Sequence, residues 1–236
     1  MTGKETVNKW LESIQDCFFP HSCLLCGGAG AGGLDLCSAC RSELPHNRWA
    51  CSRCGIPLAA GAEGCCGPCQ RHPPQFAATL ALFRYEEPVR MLLHDLKFRD
   101  QFAVARLFGE LLAIAAAARE PRPQAIIPVP LHPRRFRQRG YNQSTEIARI
   151  AARRLGLPLD LRHCTRRRPT LPQTGMPAAE RRRNLRHAFQ VSAELDLGHV
   201  TIVDDIVTTG ATVGELTRAL RSAGVARVDV WAVARA

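Results

Sequence analysis

Four CxxC pairs follow one another within 47 residues: Cys23/Cys26, Cys37/Cys40, Cys51/Cys54 and Cys66/Cys69. They constrain the first third of the chain more than any other feature. Ten of the eleven cysteines lie between Cys17 and Cys69, in a stretch rich in Gly and Pro and poor in apolar runs. Such a stretch cannot build a core of its own and needs a staple. A CxxC turn places two thiolates on one side of an ion, and two such turns complete the tetrahedral four-sulfur shell that zinc prefers. The first and third pairs are followed by Gly27 and Gly55, so the unit CxxCG…CxxC occurs twice. This predicts two tandem ribbons and two structural zinc ions, with every coordination position filled by protein. Sequential pairing is the simplest arrangement, although interleaved pairing satisfies the same spacing. Cys65 neighbours Cys66 and is an alternative fourth ligand. Cys17 and Cys164 read as buried thiols, and His21 and His72 as solvated side chains.

Disulfides are the competing use of cysteine, but they belong to secreted chains. The N-terminus has no signal-peptide character, because Lys4, Glu5, Lys9, Glu12 and Asp16 interrupt any apolar segment. The most apolar run, Leu111–Ala118, is eight residues long, against the ~20 needed to cross a bilayer. A cytoplasmic protein without membrane insertion is therefore expected. Trp10, Leu11, Ile14, Phe18 and Phe19 fit one face of a short helix docked on the body.

After Gln75 the pattern changes to apolar runs alternating with helical periodicity. Strands are expected at Thr79–Tyr85, Gln124–Pro130, His199–Asp204 and Arg227–Val233. Helices are expected at Pro88–Leu96, Ala103–Ala118, Asn142–Leu155 and Ala211–Ala223. Residues Arg166–Leu185 read as an Arg- and Pro-rich loop with a short helix near Ala178–Arg183. Alternation of this kind indicates an α/β domain with a mainly parallel sheet. The expected organisation is an N-terminal helix over residues 1–16, a double zinc ribbon over 17–74 and the α/β domain over 75–236.

The segment Val200–Thr212, VTIVDDIVTTGAT, carries the chemistry. An apolar strand delivers Asp204 and Asp205 to its carboxyl end, where ligands of open α/β sheets sit. Thr208, Thr209, Gly210, Ala211 and Thr212 then open a helix. Small hydroxylated residues and glycine at that position form a backbone nest for a phosphate. Two adjacent carboxylates accept hydrogen bonds from vicinal hydroxyls, so the segment reads both ends of a 5-phosphorylated ribose. No Walker P-loop or dinucleotide fingerprint occurs.

The chain has 32 Lys+Arg against 21 Asp+Glu, a net charge of +11, and its only lysines are Lys4, Lys9 and Lys97. The other basic residues are arginines, whose planar fork matches phosphate. Fifteen of them fall between Arg134 and Arg186. A surface gripping phosphate and a groove for single-stranded DNA both fit this charge. Stacking recognition has little support there, since Phe136, Tyr141 and Phe189 are the aromatics in and beside the run. Asn142 reads as a helix cap, and Lys97 as a surface residue.

Val200–Thr212 resembles the phosphoribosyl-pyrophosphate signature of type I phosphoribosyltransferases. From about Phe18 to Arg235 the chain resembles the ComF family of competence-associated proteins. The double CxxC ribbon, IIPVPLHPRRFRQRGYNQS (Ile126–Ser144), TLPQTGMPAAERRRNLRHAF (Thr170–Phe189) and VTIVDDIVTTGAT carry the resemblance. It implies a double zinc ribbon followed by a type I phosphoribosyltransferase domain, binding of 5-phosphoribosyl 1-diphosphate with Mg²⁺, and a link to DNA uptake. Asp204 and Asp205 would hold the ribose hydroxyls as the catalytic acids, and Thr208–Thr212 the 5-phosphate. Val129, Pro130, Leu131 and His132 would form the pyrophosphate loop, with Arg134, Arg135 and Arg139 close by. Gln173, Arg181 and Asn184 would belong to a hood that excludes water. Two other readings compete: a single-stranded-DNA-handling adaptor that docks an uptake helicase or channel protein, and a nucleobase-salvage enzyme.

Overall fold

The computed structural model describes residues 21–167 and 187–236. The expected N-terminal helix, Cys17, the short helix near Ala178–Arg183 and the hood residues Gln173, Arg181 and Asn184 lie outside the described residues. The chain divides into two compact units, Met1–Leu44 and Pro45–Ala236.

The smaller unit holds the first two CxxC pairs. Gly27 sits at φ 75° and donates its N–H to the Cys23 carbonyl at 2.9 Å. This closes a tight turn that a side chain at that φ would strain. Helix α1 (Ser38–Glu43) begins after Cys37 and contains Cys40, and the Cys37 sulfur accepts the N–H of Cys40 at its start.

The larger unit opens on the same local geometry. Gly55, at φ 69°, donates to the Cys51 carbonyl at 2.8 Å, and helix α2 (Gly67–Arg71) follows Cys66. The sheet comes next. It runs in the order β1 (Thr79–Arg84), β6 (Arg227–Arg235), β5 (His199–Val207), β2 (Ala125–Pro128), and every pairing is parallel. The inner strands β5 and β6 are buried along nearly their whole length, whereas edge strand β1 alternates. That contrast is what a parallel sheet covered on both faces produces.

Helix α7 (Ala211–Ser222) covers the sheet with Val213, Leu216 and Leu220, which join Val200, Ile202, Val228 and Val230 in one core cluster. Helices α3 (Val89–Phe98) and α4 (Phe102–Ala116) link β1 to β2. Helices α5 (Pro133–Arg139) and α6 (Gln143–Leu155) lead from β2 toward β5. Helix α4 lies against β1 and β6, α6 against β2 and β5, and the two helices pack on each other. Gly109 of α4 allows that approach: a Cβ there would lie 2.5 Å from Ile150 Cβ and 2.8 Å from the Ile147 carbonyl oxygen.

The expected α/β architecture with a mainly parallel sheet is present, and three local features differ from the sequence reading. Strand β5 continues past Asp204 to Val207, because β6 pairs with it as far as Val207↔Arg235. The backbone ladder outweighs the polarity of two adjacent acids. Helix α5 takes the Arg-rich run after Pro133. The proline occupies the first turn, where its missing N–H costs nothing. A two-stranded antiparallel pair, β3 (Cys164–Arg166) with β4 (Phe189–Val191), brackets residues 168–186. Three-residue strands leave too little periodicity to be seen in a sequence.

Candidate functional site

The cysteine sites have the geometry of metal centres. Cys23, Cys26, Cys37 and Cys40 form one group, and Cys51, Cys54, Cys66 and Cys69 the other, with the ligand atoms of each within 4.8 Å of one another. Sulfurs at ~2.3 Å from a tetrahedral zinc ion stand about 3.8 Å apart. Cys26 and Cys37 are 3.8 Å apart, and Cys54 and Cys66 3.7 Å. Pairing is thus sequential. Cys66 belongs to the group, while Cys65 points its sulfur to Ser52 Oγ at 3.3 Å. Burial opposes ionisation of Cys23 and Cys51, but converging backbone N–H groups outweigh it and bring each thiol down to about 6. In each group another sulfur moves the opposite way: the adjacent Cys37 sulfur pushes Cys40 up, and burial, then the neighbouring Cys54 sulfur, pushes Cys69 up. Zinc binding would displace the protons these sulfurs keep. Cys164 stands outside both groups: burial, then the charge of Asp160, pushes its thiol up to about 12.

The second site is a cavity of about 430 Å³ at the carboxyl end of β5. Asp204 and Asp205 line it and are 8% and 5% exposed. Val129 and Leu131 come from the loop after β2, Gln143 and Ser144 from the start of α6, and Arg135 from α5. Thr208, Gly210, Ala211 and Thr212 complete it at the start of α7. Gly210 caps that helix at φ 74°, a left-handed conformation suited to glycine. Asn142 braces the opposite wall twice over. Its Oδ1 accepts the Ser144 N–H at 3.1 Å to cap α6, and its Nδ2 donates to the Val129 carbonyl at 2.9 Å.

The two carboxylates are treated differently. Burial, reinforced by the charge of Asp205, pushes Asp204 up to about 8, while Ser144 Oγ donates to its Oδ1 at 3.1 Å. Burial also opposes ionisation of Asp205, but the Lys97 ammonium pairs with that carboxylate and holds it below the ordinary range. Arg166 reaches the same cavity from β3, stacked over the Phe189 ring at 5.5 Å.

Of the residues singled out from the sequence, Asp204, Asp205, Thr208, Gly210, Ala211, Thr212, Val129, Leu131 and Arg135 meet in this cavity. Thr209, Pro130, His132, Arg134 and Arg139 do not line it. Thr209 Oγ1 accepts the Ala211 N–H, and His132 Nδ1 the Arg134 N–H. Pro130 lines a separate hollow with Phe136 and Tyr141. Arg139 donates to Gln143 Oε1 at 2.6 Å and stacks on Phe98.

The sequence reading misses Lys97, Ser144, Arg166, Tyr85 and Gln143 as site residues. Lys97 carries one signal, being the only lysine after residue 9 in a chain that otherwise uses arginine. Its place in the acid pocket is the correction to its reading as a surface residue.

The fold and these two kinds of site define a class: double zinc ribbons joined to a phosphoribosyltransferase domain. The family model for the double zinc ribbon domain matches residues 14–70, and that for the phosphoribosyl transferase domain matches residues 142–236. Competence protein F of Haemophilus influenzae is 35% identical over 229 residues, covering 93% of this chain and 99% of that protein. DNA utilization protein YhgH of Escherichia coli K12 is 35% identical over 222 residues, 92% of this chain and 97% of its own. Competence protein ComFC of Streptococcus pneumoniae is 24% identical over 155 residues, 66% of this chain and 67% of that one. The chain belongs to the ComF family. Among solved structures, the protein TT1426 from Thermus thermophilus aligns with a TM-score of 0.34 and 24% identity, over 54% of this chain and 72% of that one.

Proposed function

We propose that the cavity binds 5-phosphoribosyl 1-diphosphate together with Mg²⁺, and that the protein is a pentosyltransferase serving DNA uptake or utilisation in the cytoplasm. The observation that carries this reading is the meeting of Asp204 and Asp205 with the Thr208–Thr212 turn in one cavity. The carboxylates accept hydrogen bonds from the 2- and 3-hydroxyls, and the backbone N–H groups at the start of α7 donate to the 5-phosphate. Lys97, Arg135 and Arg166 present positive charge to the diphosphate as its bond to C1 breaks and negative charge builds on it. Val129 and Leu131 wall the reacting end.

Mg²⁺ is bound through one or two carboxylates plus ligand phosphates rather than by a full protein cage. The cavity suits that mode. Among the described residues, the groups of three or more metal-ligating side chains are the two cysteine sets, so the acid pair would share the ion with the ligand. When bound, it supplies further charge neutralisation to the leaving diphosphate.

Calorimetric titration with 5-phosphoribosyl 1-diphosphate, with and without Mg²⁺, tests the reading. Saturable Mg²⁺-dependent binding is expected, and Asp204→Asn/Asp205→Asn should abolish it in a folded, zinc-replete sample. Unchanged affinity in the double variant would remove these two residues from the site. Screening nucleobases for release of pyrophosphate separates a salvage enzyme from one with another acceptor.

A specific surface favours a second reading, single-stranded DNA binding. Phe98 and Phe102 are 66% and 49% exposed, and Phe136 is exposed as well. The Arg139 guanidinium lies over the Phe98 ring at 5.5 Å, and Phe102 packs on Tyr141 with ring centroids 4.7 Å apart. The fold therefore adds aromatics to the arginine run that the sequence lacked locally. Base stacking on such rings contributes ~1–3 kcal/mol per base. Anisotropy of a labelled oligo-dT should show salt-dependent binding that survives loss of the two aspartates and weakens roughly tenfold in Phe98→Ala/Phe102→Ala. Oligonucleotide affinity equal to wild type in the phenylalanine variant would set this reading aside. A helicase or uptake-channel protein is the partner such an adaptor would dock.

A further inference from the structure

Four successive carbonyls of the Cys51–Gly55 turn are held, three of them by Thr79 and Arg235 of the α/β body. The Ser52 carbonyl accepts the Thr79 N–H at 3.2 Å, and that of Arg53 accepts Thr79 Oγ1–H at 2.6 Å. The Gly55 carbonyl accepts from Asn47 Nδ2 at 2.8 Å. The Cys54 carbonyl accepts from Arg235 Nε at 2.9 Å. Arg235 is 7% exposed, and its other end reaches the loop after β5. Its Nη1 donates to the Val207 carbonyl at 3.1 Å and to the Thr208 carbonyl. One guanidinium thus spans from the backbone of a cysteine in the second metal site to the first residue of the phosphate turn. Apolar packing runs alongside. Cys54 packs against the cluster containing Phe76, Val207 and Val213, and Phe76 lies beneath Gly210.

A planar fork with several fixed donors couples the positions of its acceptors. Displacing the Cys54 carbonyl, as loss of the metal shell would do, frees Arg235 and loosens the Thr208 carbonyl. We propose that Arg235 is a positioning residue that joins the second cysteine site to the phosphate turn, so that metal occupancy there and binding of a phosphorylated sugar reinforce each other. The ligand half of this proposal rests on the reading given under Proposed function. By linkage, the strengthening of ligand binding by zinc must equal the strengthening of zinc binding by ligand.

Hydrogen exchange on the zinc-loaded, ligand-free full chain tests the structural half, with the amides of Ile126 and Ile127 in β2 as a reference for global folding. Cys69→Ser should speed exchange across Val207–Thr212 by roughly fivefold or more while the β2 reference stays protected. Cys40→Ser, in the other metal site, should leave that segment at the wild-type rate. Arg235→Leu should reproduce the Cys69→Ser effect, and Arg235→Lys, which keeps the charge but loses the fork, should fall between. Equal exchange in wild type and Cys69→Ser, or equal acceleration by Cys40→Ser, would overturn the proposal.

Equilibrium competition for zinc with a chromogenic chelator tests the ligand half. Adding 5-phosphoribosyl 1-diphosphate and Mg²⁺ should raise the affinity for one of the two zinc ions by roughly fivefold or more in wild type and leave it unchanged in Arg235→Leu. Binding of the diphosphate to wild type without any change in zinc affinity would overturn the coupling. Absence of diphosphate binding would instead overturn the reading of the cavity, while the exchange experiment still decides the role of Arg235.

Discussion

The ammonium of Lys97, in the last turn of α3, pairs with the carboxylate of Asp205 near the end of β5, 108 residues away in sequence. Asp205 is thereby kept charged in a buried setting, and Asp204 beside it becomes the proton-holding member of the pair. Removing one partner of a buried ion pair strands the other charge, at a cost of about 3 kcal/mol. Lys97→Met should therefore destabilise the ligand-free protein by about that amount at pH 8 in chemical denaturation. The loss should shrink toward pH 5, because Asp205 in the variant no longer has Lys97 to hold it charged and takes up a proton in its buried setting. A loss independent of pH would mean that Lys97 acts through packing alone.

Asp204 supplies a pH dependence of its own. Its folded value of about 8 stands far above that of an unfolded aspartate, ~3.9. The folded state therefore holds a proton that the unfolded chain releases between those pH values. Stability from this group is fully present below about pH 4 and is lost as pH rises toward 8. The depressed value of Asp205 acts only below the ordinary aspartate range, outside this window. Cys23 and Cys51, lowered to about 6, act in the opposite sense above pH 6, so Asp204 is read as a difference between proteins. Without ligand or Mg²⁺, the Tm of Asp204→Asn minus that of wild type should rise from pH 5 to pH 8, and a difference that stays flat or falls would contradict the assignment.

Metal stoichiometry tests the cysteine assignment directly. Atomic emission should find two zinc ions per chain in wild type and in Cys65→Ser, since the Cys65 sulfur faces Ser52 rather than the metal group. Cys66→Ser should retain one. Two ions in Cys66→Ser would mean that Cys65 replaces it.

The α4–α6 contact has no room for a methyl group at residue 109. The obstacles are a backbone carbonyl and the branched carbon of Ile150, neither of which can swing aside. Gly109→Ala should lower stability by about 1–3 kcal/mol despite the better helix propensity of alanine. Denaturant unfolding of the variant reads this directly, and a gain in stability would show that the helices separate freely.

Sequence by itself determined the features whose chemistry is local. A CxxC turn needs two residues between its cysteines, and the Asp204–Thr212 segment carries its acids, glycine and hydroxyls on one continuous stretch. Both were therefore legible as spacing, as were the long strands and helices that frame them. Tertiary structure decided what depends on elements meeting across the chain. The sequential pairing of the cysteines, and Cys66 rather than Cys65 as a ligand, depend on how each ribbon folds back on itself. Lys97 enters the acid pocket because α3 runs its last turn to the end of β5, and Ser144 because α6 begins beneath the loop that Asn142 ties down. In the sequence Arg235 lies two residues beyond the expected last strand, Arg227–Val233, which the structure extends to Arg235. Its contacts to both sides arise because β6 lies between β1, which holds the Cys51–Gly55 turn, and β5, which leads into the Thr208–Thr212 turn. Side-chain spacing records what neighbours along the chain can do together, whereas sheet order and helix packing decide which distant residues become neighbours.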